Sequence, residues 1–179
     1  MSSNPTVLVG GQLKRWRVVM VAIGVLGYGL DQWTKAEAVA RLDPYNPPSW
    51  FGGFLTLRLI RNPGAAFSMG STATVLISLF AIAMLIAVCV WGVPRARHRW
   101  SLIACGMLIA GICGNLTDRI FRAPGPLRGH VVDFMSLPHF AVFNVADIFI
   151  TSTAILVVVV AVFGHCLLYT SDAADDLLC

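Results

Sequence analysis

Two carboxylates in an otherwise apolar part of the chain are the residues best suited to chemistry. They stand in Val131-Val132-Asp133-Phe134 and Phe143-Asn144-Val145-Ala146-Asp147. An ionisable group at membrane depth is expensive to keep, so it lines a polar cavity, binds an ion or reacts. Two carboxyls brought together cannot both ionise freely, because each charge opposes the other. One then holds a proton while its neighbour stays ionised, which is the division of labour of an acid/base pair.

The remaining polar motifs fall at the ends of apolar runs. Asp31-Gln32-Trp33-Thr34-Lys35 ends the first run, and Asn62-Pro63-Gly64-Ala65-Ala66-Phe67 leads into the second. Gly114-Asn115-Leu116-Thr117-Asp118-Arg119 ends the third, Asp147 opens the fourth, and Asp133 lies in the loop before it. Four run ends at one membrane depth can surround a single site. Each piece also has a plain structural reading. Asp147 follows Asn144 at i+3, where acids cap free amides and suit the helix dipole. Asp133 can pair with Arg119 or Arg128, and Asp118-Arg119 reads as a structural pair at a helix end. Asn62 and Asn144 suit turns or caps. Gly64 and Gly114 permit close backbone approach, and Asp31 with Lys35 is an i,i+4 helix pair.

The elements that must position these groups are membrane elements. The 179 residues are 57% hydrophobic and only 12% charged, with mean hydropathy +0.76. That excludes an ordinary soluble domain. The net charge of +4 is not a nucleic-acid footprint, because the basic residues cluster at the ends of apolar runs. Four spans are expected: about Trp16 to Leu30, Ala73 to Val93 closed by Pro94, Trp100 to Leu116, and Asn144 to Gly164. The first is short for a span, so its helix continues through Lys35 and leaves Asp31 near the interface. Leu55, Leu57 and Leu59 alternate with Thr56 and Arg58, the pattern of a half-buried strand. The fold class is therefore an all-α integral membrane protein, with four transmembrane helices and a small extracytoplasmic β-strand segment between helices 1 and 2.

Orientation follows from charge. Lys14, Arg15, Arg17, Arg95, Arg97 and Arg99 carry no acid among them and mark the cytoplasmic side. Both chain ends are then cytoplasmic and the acidic motifs face outward. Cys89, Cys105 and Cys113 read as packing residues inside apolar runs. No cysteine or histidine spacing suggests a metal.

Jointly, the five motifs quoted above resemble the lipoprotein signal peptidase (signal peptidase II) family, in the family's order and over roughly Trp16 to Gly164. The resemblance implies that Asp133 and Asp147 are catalytic aspartates of a bacterial plasma-membrane endopeptidase. It implies supporting or substrate-positioning roles for Asp31, Lys35, Asn62, Gly64, Asn115, Arg119 and Asn144. The implied substrate is a diacylglyceryl-modified prolipoprotein, cut just before the lipidated cysteine. The implied partners are that substrate and membrane lipid, with no nucleic acid, no metal and no organic cofactor. The rival reading is a non-enzymatic four-span transporter or assembly subunit, in which the aspartates bind ions or cap helices; a metal-dependent lipid transferase is a second rival. The tail departs from the family, which usually ends in basic residues. Cys166 to Asp175 resembles a translated sequencing adapter. The expected division is therefore one membrane-embedded peptidase domain over 1–165 and a non-native tail over 166–179.

Overall fold

The computed structural model describes residues 7–64 and 70–175, with side chains over 7–64 and 73–162. The Ala65-Ala66-Phe67 part of the motif before the second run, and the last four residues of the tail, lie outside the described residues.

Helix α1 (Gly10–Arg41) is proline-free for 32 residues. At about 1.5 Å per residue it measures roughly 48 Å, well beyond the ~30 Å hydrocarbon core. It stops where Leu42 turns extended and the Asp43 carboxylate accepts the Tyr45 amide at 2.9 Å. Helix α2 (Gly70–Ala87) runs through a π turn (Val88–Gly92) into a last helical turn, α3 (Val93–Arg95). Pro94 therefore does not close the helix where the sequence suggests. A proline removes one helical donor and crowds the preceding turn, and the wider π turn just upstream accommodates it. Helix α4 (Arg99–Phe121) outlasts the expected span by five residues, carrying Asp118 and Arg119 as helical residues. Helix α5 (Val145–Asp175) begins at the second aspartate motif. It continues past Gly164, where the following residues include neither glycine nor proline.

Among the described residues three stretches are long and apolar enough to cross a membrane: Ala73–Arg95, Arg99–Phe121 and Val145–Val162. The expected fourth, in α1, has the length, but Asp31, Gln32, Lys35 and Glu37 make that end too polar to qualify by composition. Val18, Leu26, Phe80, Val90 and Val158 are exposed on the outer helix faces, as bilayer-facing side chains are. Helix α4 packs against both α1 and α5, and its glycines permit this. A Cβ on Gly106 would lie 2.6 Å from the Met20 carbonyl oxygen, and one on Gly111 would lie 2.7 Å from that of Ala146.

The strand segment is larger than the alternation predicts. Strand β2 (Leu55–Asn62) pairs antiparallel with the short β1 (Ser49–Trp50) and with β3 (Val131–Ser136), in the order β1-β2-β3. The third strand comes from between α4 and α5, not from between the first two helices. Its residues Val131 to Phe134 are all buried, so it lacks the alternation that reveals a half-exposed strand. Leu57 and Leu59 of β2 pack with Ala38, Val132 and Phe134, seating the sheet on the end of α1.

Candidate active site

Asp133 belongs to β3, not to a loop. It faces Ile60 across the ladder, while Asn62 pairs with Val131. That register puts the Asn62 amide beside the carboxylate, and Asn62 Nδ2 donates to Asp133 Oδ2 at 2.8 Å. The other oxygen, Oδ1, accepts from Asn144 Nδ2 at 2.6 Å. Asp147 stands in the first turn of α5, where it and Asn144 cap each other. The Asp147 amide donates to Asn144 Oδ1, and the Asn144 amide donates to Asp147 Oδ2, each at 3.1 Å. This reciprocal arrangement satisfies two helix-start amides. Asp147 thus has the plain role of a cap while its other oxygen, Oδ1, accepts from Asn115 Nδ2 at 2.8 Å. Asn144 is fully buried and touches both aspartates; Asp147, Asn115 and Asn62 are half-buried.

Behind the aspartates lies a charged core. Lys35 and Asp31 are wholly buried and 2.9 Å apart, and Lys35 is also 2.9 Å from Asp118. Lys35 Nζ donates to Asn115 Oδ1 at 3.0 Å, and Asn115 Oδ1 also accepts from Asn144 Nδ2 at 3.1 Å. Asp31 Oδ1 accepts the Ala146 amide at 2.8 Å, joining α1 to the start of α5. A Cβ on Gly114 would sit 2.5 Å from Asp31 Oδ2, so glycine is what lets that carboxylate reach across α4. Asp31 is therefore enclosed by the helices rather than exposed on the face of α1. Buried charges are costly unless paired and hydrogen-bonded, and here two carboxylates share one ammonium.

The turn Asn62-Pro63-Gly64 closes one side. The Gly64 amide donates to Asn62 Oδ1 at 2.8 Å, which holds the Asn62 side chain toward Asp133. Gly64 has φ of +88°, and a Cβ there would lie 2.8 Å from Ile77 Cδ1 and 3.3 Å from Arg119 Nη2. Arg119 is nearly buried, and among the described residues its Nη1 has no hydrogen-bond partner. Asp118 does not pair with it. Asp118 pairs instead with Lys35 and, through Oδ1, with Arg122 Nε at 2.5 Å, because i,i+4 neighbours on a helix meet and adjacent residues diverge. Nor does Asp133 pair with Arg119 or Arg128 among the described residues.

Asp133 is pushed up from the ordinary carboxylate range to about 6. Burial is the main cause and the nearby Asp147 charge adds to it, while the amides of Asn62 and Asn144 and the Lys35 ammonium pull the other way. A carboxyl that titrates near neutrality beside a second carboxyl is suited to proton transfer. Among the described residues no three His, Cys, Asp or Glu side chains converge as a metal site would require.

Several supporting residues went unmarked in the sequence. Gln32 Nε2 donates to Asp31 Oδ2 and to the Gly114 carbonyl. Thr74 donates to the Pro63 carbonyl and Ser78 to the Leu127 carbonyl, tying α2 to the loops beside the site. Small hydroxyls inside an apolar run read as ordinary span residues. Their only signal is the i,i+4 spacing that puts both on one helix face.

A helical membrane protein with two hydrogen-bonded carboxyls at the end of its bundle has the makings of a membrane aspartic peptidase. Residues 21–163 match the family model for signal peptidase (SPase) II. A lipoprotein signal peptidase of Mycobacterium tuberculosis is 43% identical over 146 residues, covering 82% of this chain and 72% of the relative. One from Rhodococcus jostii is 43% identical over 148 residues, covering 83% and 74%. A solved bacterial membrane enzyme superposes with TM-score 0.71 at 26% identity, covering 87% of this chain and 96% of its own. The chain belongs to the signal peptidase II family and is an aspartic protease of the bacterial membrane. That membership disfavours the transporter reading.

Proposed function

We propose that this protein removes signal peptides from prolipoproteins whose cysteine carries a diacylglyceryl group, cutting the peptide bond just before that cysteine. Asp133 and Asp147 are the reacting pair. The observation that supports this most directly is Asn144, whose side chain and backbone contact both carboxylates at once. Asn62 and Asn115 occupy further carboxylate oxygens, so each aspartate is held by two donors and can turn little. Rigid placement of this kind is what proton transfer in a transition state requires.

The pair carries one proton. The ionised carboxylate takes a proton from water as the water oxygen attacks the scissile carbonyl carbon. The protonated carboxyl gives its proton to the carbonyl oxygen, leaving a neutral gem-diol. As the C–N bond breaks, the first carboxyl donates to the departing nitrogen and the second recovers a proton from a gem-diol hydroxyl. The products are a new carboxyl and a free amine, and the pair again holds one proton. The titration belongs to the pair rather than to either residue. No metal or organic cofactor enters these steps. Arg119, whose Nη1 has no partner among the described residues, stands beside the Gly64 turn and is suited to a substrate carbonyl. Asp31, Lys35 and Gly64 hold the frame.

In the same reading α1 is a fourth span, both termini are cytoplasmic and the sheet lies on the outer surface. The peptidase domain is 1–165, and membrane lipid surrounds it. The experiment that tests the activity is cleavage of a lipid-modified prolipoprotein by the purified protein, with and without Asp133→Asn. Cleavage at the lipidated cysteine that vanishes in the variant supports the assignment. Equal cleavage by the variant removes Asp133 from the chemistry.

A further inference from the structure

We propose that Asp118 is a positioning residue for both carboxyls of the site, acting on Asp133 through one arm and on Asp147 through another. The inference rests on Asp133 and Asp147 being the reacting pair. Asp118 is almost fully buried near the end of α4, and a single oxygen, Oδ2, serves both arms. It accepts the backbone amide of Val132 at 3.2 Å. Val132 is the residue immediately before Asp133, so this bond fixes the height of β3 against α4 where the first carboxyl leaves the strand.

The same Oδ2 lies 2.9 Å from Lys35 Nζ. Lys35 passes the constraint on, because Nζ also donates to Asn115 Oδ1 at 3.0 Å. An ammonium has donors and no acceptor. It therefore holds the Asn115 amide with its oxygen toward the lysine and its NH2 toward Asp147 Oδ1, 2.8 Å away. Turned over, that amide would set an oxygen against a carboxylate oxygen. Lys35 thus keeps the donor on Asp147, and Asp118 keeps Lys35 in place. Rotation of Asp118 is blocked on its other side, where Oδ1 accepts from Arg122 Nε.

A purely structural Asp118 would alter the amount of folded enzyme. A positioning Asp118 alters turnover by the enzyme that is folded. The test measures kcat and KM for a lipid-modified prolipoprotein, with thermal melting, on purified Asp118→Asn, Asp118→Glu, and Asp118→Asn combined with Lys35→Met. The Asn variant is expected to fold, lose at least tenfold in kcat and keep KM within twofold, because the remote substrate contacts are untouched. The Glu variant keeps a charge for Lys35 but moves the oxygen by one methylene, and is expected to lose kcat as well. Adding Lys35→Met should cost less than the product of the two separate losses, since both act along one path. If either folded single variant has kcat within threefold of the parent, the proposal is overturned. If neither folds, Asp118 is a stability residue and the proposal is likewise overturned. Asp133→Asn, measured alongside, separates the two readings. Full cleavage by it removes the premise, whereas a dead Asp133→Asn beside a fully active Asp118→Glu removes only the role of Asp118.

Discussion

The two ends of the bundle are built on opposite principles. At the basic end, Leu13, Met20, Ala96 and Leu102 form a small apolar cluster, with Leu8, Trp16, Val93 and Cys105 around it. At the site end the largest fully buried side chains include Lys35, Asn144, Asp31, Asp118 and Asp133. In a bilayer the lipid tails are as apolar as leucine, so an apolar cluster gains from close packing more than from leaving water. Such packing tolerates exchange of one hydrocarbon for another. The site end has no such freedom, because each buried oxygen needs a donor. Stability at one end is spread over interchangeable contacts, and at the other it hangs on named pairs.

The largest effect is expected where chemistry at the site end changes and shape does not. Asp133→Asn and Asp147→Asn should each lower cleavage of lipid-modified substrate by at least about a thousandfold, with no extra loss when combined. Each also turns an NH2 toward a donor, Asn62 or Asn144 at 133 and Asn115 or the Asn144 amide at 147, so a modest drop in melting temperature is expected and cleavage is normalised to folded protein. A large additive loss in the double variant would show that the two act separately. Next in size is Lys35→Met. Removing the ammonium leaves Asp31 with no cation and Asp118 with Arg122 alone, and should cost about 3–5 kcal/mol in unfolding free energy. Methionine here melting like the parent would mean that the charged core is not holding the end together.

Acidity offers a third probe. Burial lifts Asp133 to about 6, so below that value the pair retains its proton and above it the free enzyme loses it. On the alkaline side kcat/KM should fall with a midpoint near 6, approaching tenfold per pH unit well above it, and on the acid side it should fall again as the pair gains a second proton. A flat profile from pH 5 to 8 would contradict the one-proton pair. Smaller again is a contrast between ends. Leu102 is fully buried in the apolar cluster, and Leu102→Ala should cost on the order of 2 kcal/mol of stability while specific activity of the folded protein is unchanged. Gly114→Ala forces a Cβ against Asp31 Oδ2 and the Ala146 side chain, and should lower specific activity as well as stability. Equal effects on activity would erase the distinction between the ends.

The same contrast explains what was legible in the sequence. Spans and aspartates were readable because composition and spacing are local properties: Asp133 and Asp147 stand out where almost everything else is apolar. Of the polar core only the Asp31–Lys35 pair was readable, from its i,i+4 spacing, because most of the other contacts join residues far apart in the chain. Lys35 meets Asp118, and Asp31 meets the amide of Ala146. Adjacency suggests Arg119 as the partner of Asp118, whereas helical geometry gives it Arg122. Strand β3 escaped because Val131 to Phe134 are buried on both faces, and without alternation a short apolar run has no period to reveal it. Pro94 misled in the other direction, since the π turn of Val88–Gly92 that carries the helix past it leaves no mark in the residues.

The least effect is expected from the tail. Helix α5 starts at Val145 and leads away from the site, so residue 166 lies about 28 Å along the helix from Asp147 at ~1.5 Å per residue. Among the described residues the hydrogen-bond partners of Asp133 and Asp147 are Asn62, Asn115 and Asn144. We expect a chain ending after His165 to keep kcat and KM within twofold, whether or not basic residues are added in place of Asp172 and Asp175. Its effect should appear only in insertion and yield, because charge near the end of a span governs orientation rather than chemistry. The measurement is specific activity normalised to folded protein in the membrane. A drop in normalised kcat on truncation would tie the far end of α5 to the placement of Asp147, and the two ends of the bundle would then have to be treated as one mechanical unit.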